Sequence, residues 1–338
     1  MPRLTPLIAL ALLLVLSACQ PSEPARPEAT EITLYAGRSA SLVEPIVEQF
    51  EEATGITVNV RQGGTSALAV ALLEEGEASP ADVFWAQDGG ALGAVHKAGL
   101  FMAMPDSIAN KVPAALRNDA QTWVATSGRA RTLAYAPDRV DASDLPTSIF
   151  DLTEARYQGR VGWAPTNGSF QSFVTAMRVL EGDERTKAWL EGMAANGAVA
   201  FTNNSSIIQG IADGEADMGL PNHYYLIRFK DADNAFPVEQ TYFEAGNAGN
   251  LVNVAGMGVL STSQAQSAAL RFVSFMLSDT AQEYFGNQIF EYPVTEGVMA
   301  NDRLVPMDSV STLQPTIDLE QLDDLDGTLN LLREAGLI

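Results

Sequence analysis

Asn222-His223-Tyr224-Tyr225 sets two phenols side by side following the strand-like run Ala216-Asp217-Met218-Gly219-Leu220. Phenolate oxygen suits a hard, highly charged cation such as Fe(III). Adjacent side chains of a strand point to opposite faces, so the two rings converge only if Tyr224 and Tyr225 occupy a turn or a first helical turn. The following Leu226-Ile227-Arg228-Phe229-Lys230 allows that. On two residues alone, one ring in the core and the other at its rim is the commoner arrangement. The other chemistry-bearing types narrow the field. The histidines are His96 and His223 and the one cysteine is Cys19, which poorly supports a His-rich zinc site or a Cys-His nucleophile. No Gly-x-Ser-x-Gly elbow accompanies His223, and neither Gly89-Gly90 nor Gly256-Met257-Gly258 has the lysine of a phosphate-binding loop. Nothing here asks for an enzyme, a secreted hydrolase using His223 and a serine being the enzyme alternative.

A second candidate is Trp163-Ala164-Pro165-Thr166-Asn167-Gly168-Ser169-Phe170. A strand ends, hydroxyl and amide donors follow, and a helix starts, so exposed backbone N–H groups could hold an anion. The same residues also make an ordinary N-cap. Asn204 and Asn222 fall at the ends of inferred strands, where their amides complete an anion pocket or fix turns.

These groups need a scaffold. Glu31 to Ala36 reads as a strand, Leu42, Val43, Ile46, Val47 and Phe50 repeat at helical spacing up to Gly55, and Ile56 to Val60 is a second strand. A helix over Ser66 to Glu75 and a strand over Asp82 to Trp85 complete a parallel βαβαβ pattern. Ligands of such sheets sit beyond the strands' carboxyl ends, here at the turns 37 to 39 and 86 to 90. Arg129 to Tyr135 reads as one long strand crossing into a second unit. That unit has strands at Arg160 to Trp163, Ala198 to Phe201 and Ala216 to Leu220, with helices over Phe170 to Leu180, Glu184 to Ala195 and Ser206 to Ala212. Leu251 to Leu260 reads as a return strand, and the acidic tail as ending in a helix.

Arg3, the apolar run Leu7 to Leu16 and the small residues before Cys19 make residues 1 to 18 a secretory signal, too short and wrongly flanked to span a membrane. Cys19 resembles the cysteine of a bacterial lipoprotein box, which implies a lipid-modified N-terminus and a flexible tether over residues 19 to 31. The chain has 338 residues and is 46% hydrophobic, enough without its leader for two globular domains of roughly 150 residues each. A formal charge of −22 argues against nucleic acid and against a basic membrane-docking surface.

The ordered set of motifs resembles the bacterial periplasmic ferric-ion-binding proteins, the solute receptors of iron ABC importers, over nearly all of the mature chain. The resemblance rests on Tyr35-Ala36-Gly37, Phe50 to Ile56, Pro80 to Phe84, Gly128 to Arg131, Asn204 through Tyr225, and Glu291-Tyr292-Pro293-Val294. It implies an α/β, two-lobe periplasmic-binding-protein fold of type II, with hinge-linked lobes of mixed sheets flanked by helices. The lobes expected are 32–131 with 255–304, and 132–254 with 305–338. It implies further that Tyr224 and Tyr225 are metal ligands, that Thr166, Asn167, Gly168 and Ser169 form the loop of a synergistic anion such as phosphate or carbonate, and that Asn204 and Asn222 help hold it. Where many members have a histidine ligand this chain has Ser39, and where some have a glutamate it has Gln87. Asp88 is a candidate additional ligand. Arg38 or Arg129 either holds the anion or belongs to an interlobe salt bridge. The expected protein is a monomeric, lipid-anchored receptor in the periplasm or at the cell surface, passing Fe(III) to a permease. A receptor for a small oxyanion or phosphonate without iron is the alternative.

Overall fold

The computed structural model describes residues 29–338. The expected leader, Cys19 and most of the tether lie outside the described residues. The first strand opens at Glu31.

The first sheet runs β2-β1-β3-β10-β4. It is built from β1 (Glu31–Ala36), α1 (Ala40–Thr54), β2 (Thr57–Gln62), α2 (Thr65–Glu75), β3 (Val83–Ala86), α3 (Gly89–Lys97), the short α4 (Asp106–Ala109) and β4 (Trp123–Ala130). β1 pairs in parallel with β2 and β3, as the alternation of strands and helices requires. α1 buries Leu42, Val43, Ile46, Val47 and Phe50 and stops at Gly55, whose φ of 70° is one that glycine adopts without strain.

The second sheet runs β7-β6-β8-β5-β9. Its strands are β5 (Leu133–Tyr135), β6 (Val161–Trp163), β7 (Val199–Ala200), β8 (Met218–Gly219) and β9 (Glu239–Thr241). Between them come α5 (Gly168–Glu181), α6 (Asp183–Ala195), α7 (Asn204–Asp213) and α8 (His223–Ala232). The chain then returns as β10 (Val252–Val259), antiparallel between β3 and β4, and closes with α9 (Gln266–Met276), α10 (Asp279–Tyr284), α11 (Met307–Leu313) and α12 (Leu325–Glu334). A separate aromatic core of Trp163, Phe170, Phe173 and Trp189 fills the second sheet's helical layer.

The expected single strand Arg129 to Tyr135 is two strands in two sheets. The chain leaves the first sheet after Ala130, where the Arg131 N–H bonds Leu251 and the Thr132 N–H bonds Pro221, and re-forms as β5. The apolar pattern runs on through this break and hides it. A second irregularity follows α10, which passes into a π-helical turn over Phe285–Ile289 and then into Phe290 at φ 63°. A bulky residue with this backbone is an outlier, and its carbonyl meets the His223 ring at 2.9 Å.

Candidate metal and anion site

Asn222 precedes α8, and Tyr224 and Tyr225 fall in its first turn. Their rings stack with centroids 4.2 Å apart and planes 30° apart. Tyr225 lines an open cavity of about 390 Å³, whereas Tyr224 is fully buried and its hydroxyl has no hydrogen-bond partner. Burial pushes the Tyr224 phenol well above its ordinary value; Tyr225 and Glu291 push the same way, and Arg38 and Arg129 oppose.

Arg38 follows β1 and is buried. Its guanidinium meets Glu291 at 2.5 Å, donates to the Ser127 hydroxyl at 3.4 Å, and lies 5.4 Å from the Trp85 ring; Ser127 in turn donates to Glu291. Burial disfavours the Arg38 charge, but Glu291 and the two tyrosines outweigh it and hold the guanidinium above its ordinary value. Arg129 is buried too, and neither of its terminal nitrogens has a partner. Arg131, which the expectations passed over, donates to the carbonyls of Leu220 (2.5 Å) and Ser169 (2.8 Å) and lies over the Phe173 ring at 4.8 Å. Burial first, and Arg129 second, bring it down to about 9. The spacing Arg129-x-Arg131 was the available signal, since residues two apart in an extended chain share a side.

Asp88 is the N-cap of α3: one carboxylate oxygen accepts from the Ala91 N–H at 2.9 Å and the other is buried without a partner. Burial raises its carboxyl to about 6, with Arg129 opposing. It does not line the cavity. Ser39 and Gln87 do, together with Arg38, Thr166, Asn167 and Gly168. Thr65 fixes that wall: its hydroxyl donates to the Gly37 carbonyl at 2.6 Å and accepts from the Gln87 N–H at 3.1 Å.

Asn167 caps α5. Its carbonyl oxygen accepts from the Ser169 N–H (3.1 Å) and hydroxyl (2.7 Å), and the Asn204 amide donates to the Ser169 hydroxyl at 3.3 Å. Asn204 accepts from the Asn222 N–H at 3.0 Å, leaving the Asn222 side-chain NH2 unpartnered. The structure therefore links Asn167, Ser169, Asn204 and Asn222 in one network, while Thr166, Asn167 and Gly168 line the cavity together with Tyr225.

His223 is enclosed. Nδ1 accepts from the Ala130 N–H at 3.1 Å, Nε2 meets the Phe290 carbonyl at 2.9 Å, and the ring lies 4.9 Å from that of Tyr292. Both nitrogens are committed to backbone, so neither is free to activate a nucleophile.

Among the described residues ten buried side-chain polar atoms lack a partner, and seven belong to Arg38, Asp88, Arg129, Arg131, Asn222 and Tyr224. Each such atom costs about 1–3 kcal/mol, so their gathering at one place calls for a ligand that satisfies them. No group of three or more His, Cys, Asp and Glu is assembled for a metal among the described residues. The donor set is phenol, amide and guanidinium.

Residues 45–309 match the family described as bacterial extracellular solute-binding protein. The chain is 32% identical over 310 residues to the Fe(3+)-binding periplasmic protein of Serratia marcescens, covering 91% of this chain and 90% of that one. The solved structure of iron-bound HitA from Pseudomonas aeruginosa superposes with a TM-score of 0.86 at 34% identity, over 91% of this chain and 100% of the other. A Trichodesmium protein solved in complex with iron and citrate ligands superposes at 0.73 and 28% identity, over 91% and 100%. The two mixed sheets flanked by helices are thus the two lobes of a type II periplasmic-binding fold. By sequence and by fold, this chain belongs to the bacterial extracellular solute-binding proteins, in their group of periplasmic ferric-ion-binding proteins.

Proposed function

We propose that this chain is an exported receptor that captures Fe(III) with a synergistic anion between its lobes and delivers it to an ABC importer. The observation that carries the reading is the set of unpartnered buried donors around the stacked pair Tyr224 and Tyr225. A trivalent cation favours phenolate strongly enough to displace protons from phenols of ordinary pKa about 10. Because burial raises Tyr224 further, iron uptake releases protons and weakens as the pH falls. Ser39 and Gln87 bring no negative charge, so the anion completes the coordination and neutralises the guanidinium side of the site. Arg38, Arg129, Asn222 and the turn Thr166 to Ser169 are the groups we assign to it, with Asn204 holding Asn222 in place; Asp88 serves as helix cap.

The lobes we propose follow the expected division, except that β10 starts at Val252 and takes residues 252–254 into the first lobe. The hinge lies where Arg131 and Thr132, and then Leu251, pass between the sheets. Cys19 carries the lipid anchor, and the receptor acts as a monomer. Loading metal-free protein with Fe(III) should give a visible phenolate-to-iron charge-transfer band that is lost in the Tyr224→Phe, Tyr225→Phe double variant. Absence of a band with phosphate, carbonate and citrate alike would sink the reading.

One observation favours a second reading, an oxyanion or phosphonate receptor that takes no iron: three buried guanidiniums flank the tyrosines. Calorimetry on metal-free protein separates the two. Tight anion binding without iron supports the second.

A further inference from the structure

Tyr225 and Ser205 line the 390 Å³ cavity on one side and a second cavity of about 320 Å³ on the other. The second is also lined by Ser41, Arg228, Phe229 and Ala232 and is open to solvent. The two chambers share Tyr225 and Ser205: the start of α1 gives Ser39 and Ala40 to the inner one and Ser41 to the outer one. Arg228 stands three residues after Tyr225 and four after Tyr224 on α8, hence on the helix face that carries the phenols.

Among the described residues Arg228 differs from the arginines that pair with acids at the surface. Lysines and arginines number 20 against 42 acidic residues, so carboxylates are plentiful. Among the described residues Arg61, Arg139, Arg156, Arg160, Arg178, Arg185 and Arg303 all have carboxylate partners. Arg228, half-buried at the chamber wall, has neither an ion pair nor a hydrogen bond within the described residues. It lies near enough to the Tyr284 phenol to act on it electrostatically, and Tyr284 donates to the Leu42 carbonyl of α1. The guanidinium therefore stands where α8 of one sheet meets α1 of the other.

We propose that the outer chamber is a carboxylate subsite: Arg228, with the hydroxyls of Ser41 and Ser205, takes a free carboxylate of a polycarboxylate ferric chelate whose iron meets Tyr224 and Tyr225. This rests on the iron reading above and deepens it, since the chain then accepts iron with its chelator attached. Guanidinium and carboxylate match in charge and in fork geometry. Tyr225 and Ser205 line both chambers, so a chelate held at the Tyr225 phenol lies beside the outer one.

The test is a pair of titrations of metal-free protein, one with ferric citrate and one with Fe(III) supplied with phosphate, for wild type and Arg228→Gln. The expected result is a loss of at least about tenfold in ferric citrate affinity with the phosphate titration unchanged, and citrate retained with iron in wild type only. The phosphate titration also reports that the variant is folded. Equal affinity of variant and wild type for ferric citrate, or equal loss in both titrations, overturns the subsite. Wild type taking iron from neither source overturns the iron reading itself, and the subsite with it.

Discussion

Arg38 and Glu291 are fully desolvated by the fold and satisfied mainly by each other and by Ser127. Truncating one member leaves an uncompensated charge, so Glu291→Ala should lower unfolding free energy by about 3–5 kcal/mol. Urea denaturation of metal-free protein checks this. A loss under about 1 kcal/mol, the scale of a surface pair, would place Arg38 in contact with water. His223 makes a second prediction at this scale. Burial brings its imidazole from 6.5 down to about 4, so as the pH drops below 6.5 the unfolded chain takes the proton first. Stability is full above 6.5, declines across this window, and the contribution is gone once the folded ring protonates near 4. Asp88 works in the opposite sense, since its carboxyl at about 6 against 3.8 takes a proton first in the folded chain. Comparing wild type with His223→Gln isolates the histidine: the variant should lose less stability between pH 7 and 4. That Tyr224 and Tyr225 converge in a first helical turn was legible from the residues that follow them, and the helix start at the turn Thr166 to Ser169 from its hydroxyl and amide groups. Glu291 was not legible as a site residue, because a carboxylate 253 positions from Arg38 gives no local sign that it will be buried.

At the scale of elements, the cavity wall depends on the β1 to α1 turn. A Cβ on Gly37 would fall 2.4 Å from the Thr65 hydroxyl oxygen and 2.8 Å from the Thr65 Cα. Gly37→Ala must therefore push α2 away and break the hydroxyl's bonds to Gly37 and Gln87. We expect a stability loss of about 1–3 kcal/mol, as for overpacked cores, with weaker iron binding. Thr65→Val, which keeps the shape and removes the bonds, should reproduce the binding loss. Unfolding midpoints and iron titrations read both. α1 and α5 were legible because their apolar spacing is periodic, and β1 and α2 from their place in the alternation of strands and helices. β7 and β8, with two residues each, carry too little pattern to bound. The break at Arg131-Thr132 is hidden inside an apolar run, and the left-handed backbone of Phe290 contradicts the usual expectation of glycine or asparagine there.

At the scale of the molecule, the two lobes we propose share no sheet and meet through side-chain contacts. Ser66 bonds Gln171, Asn253 bonds Ser172 at 2.8 Å, and Arg131 bonds the Ser169 carbonyl at 2.8 Å. Lobes built on separate sheets and joined by crossovers can move as bodies. Small-angle scattering should accordingly give a smaller radius of gyration for iron-loaded than for metal-free protein, and unchanged radii would contradict closure around the metal. The same titration should raise the thermal midpoint, since a ligand that binds only the folded state stabilises it by mass action. The two-unit organisation was legible from the alternation of strands and helices, whereas the cleft contacts depend on side chains far apart in the chain. The central claim, that Tyr224 and Tyr225 hold iron with an anion completing its shell, is tested most directly by diffraction from iron-loaded crystals at the iron absorption edge. The account predicts one anomalous peak within bonding distance of both phenolic oxygens, with non-protein density between it and the turn Thr166 to Ser169. A peak elsewhere, or an anion in the cleft with no iron, would contradict it.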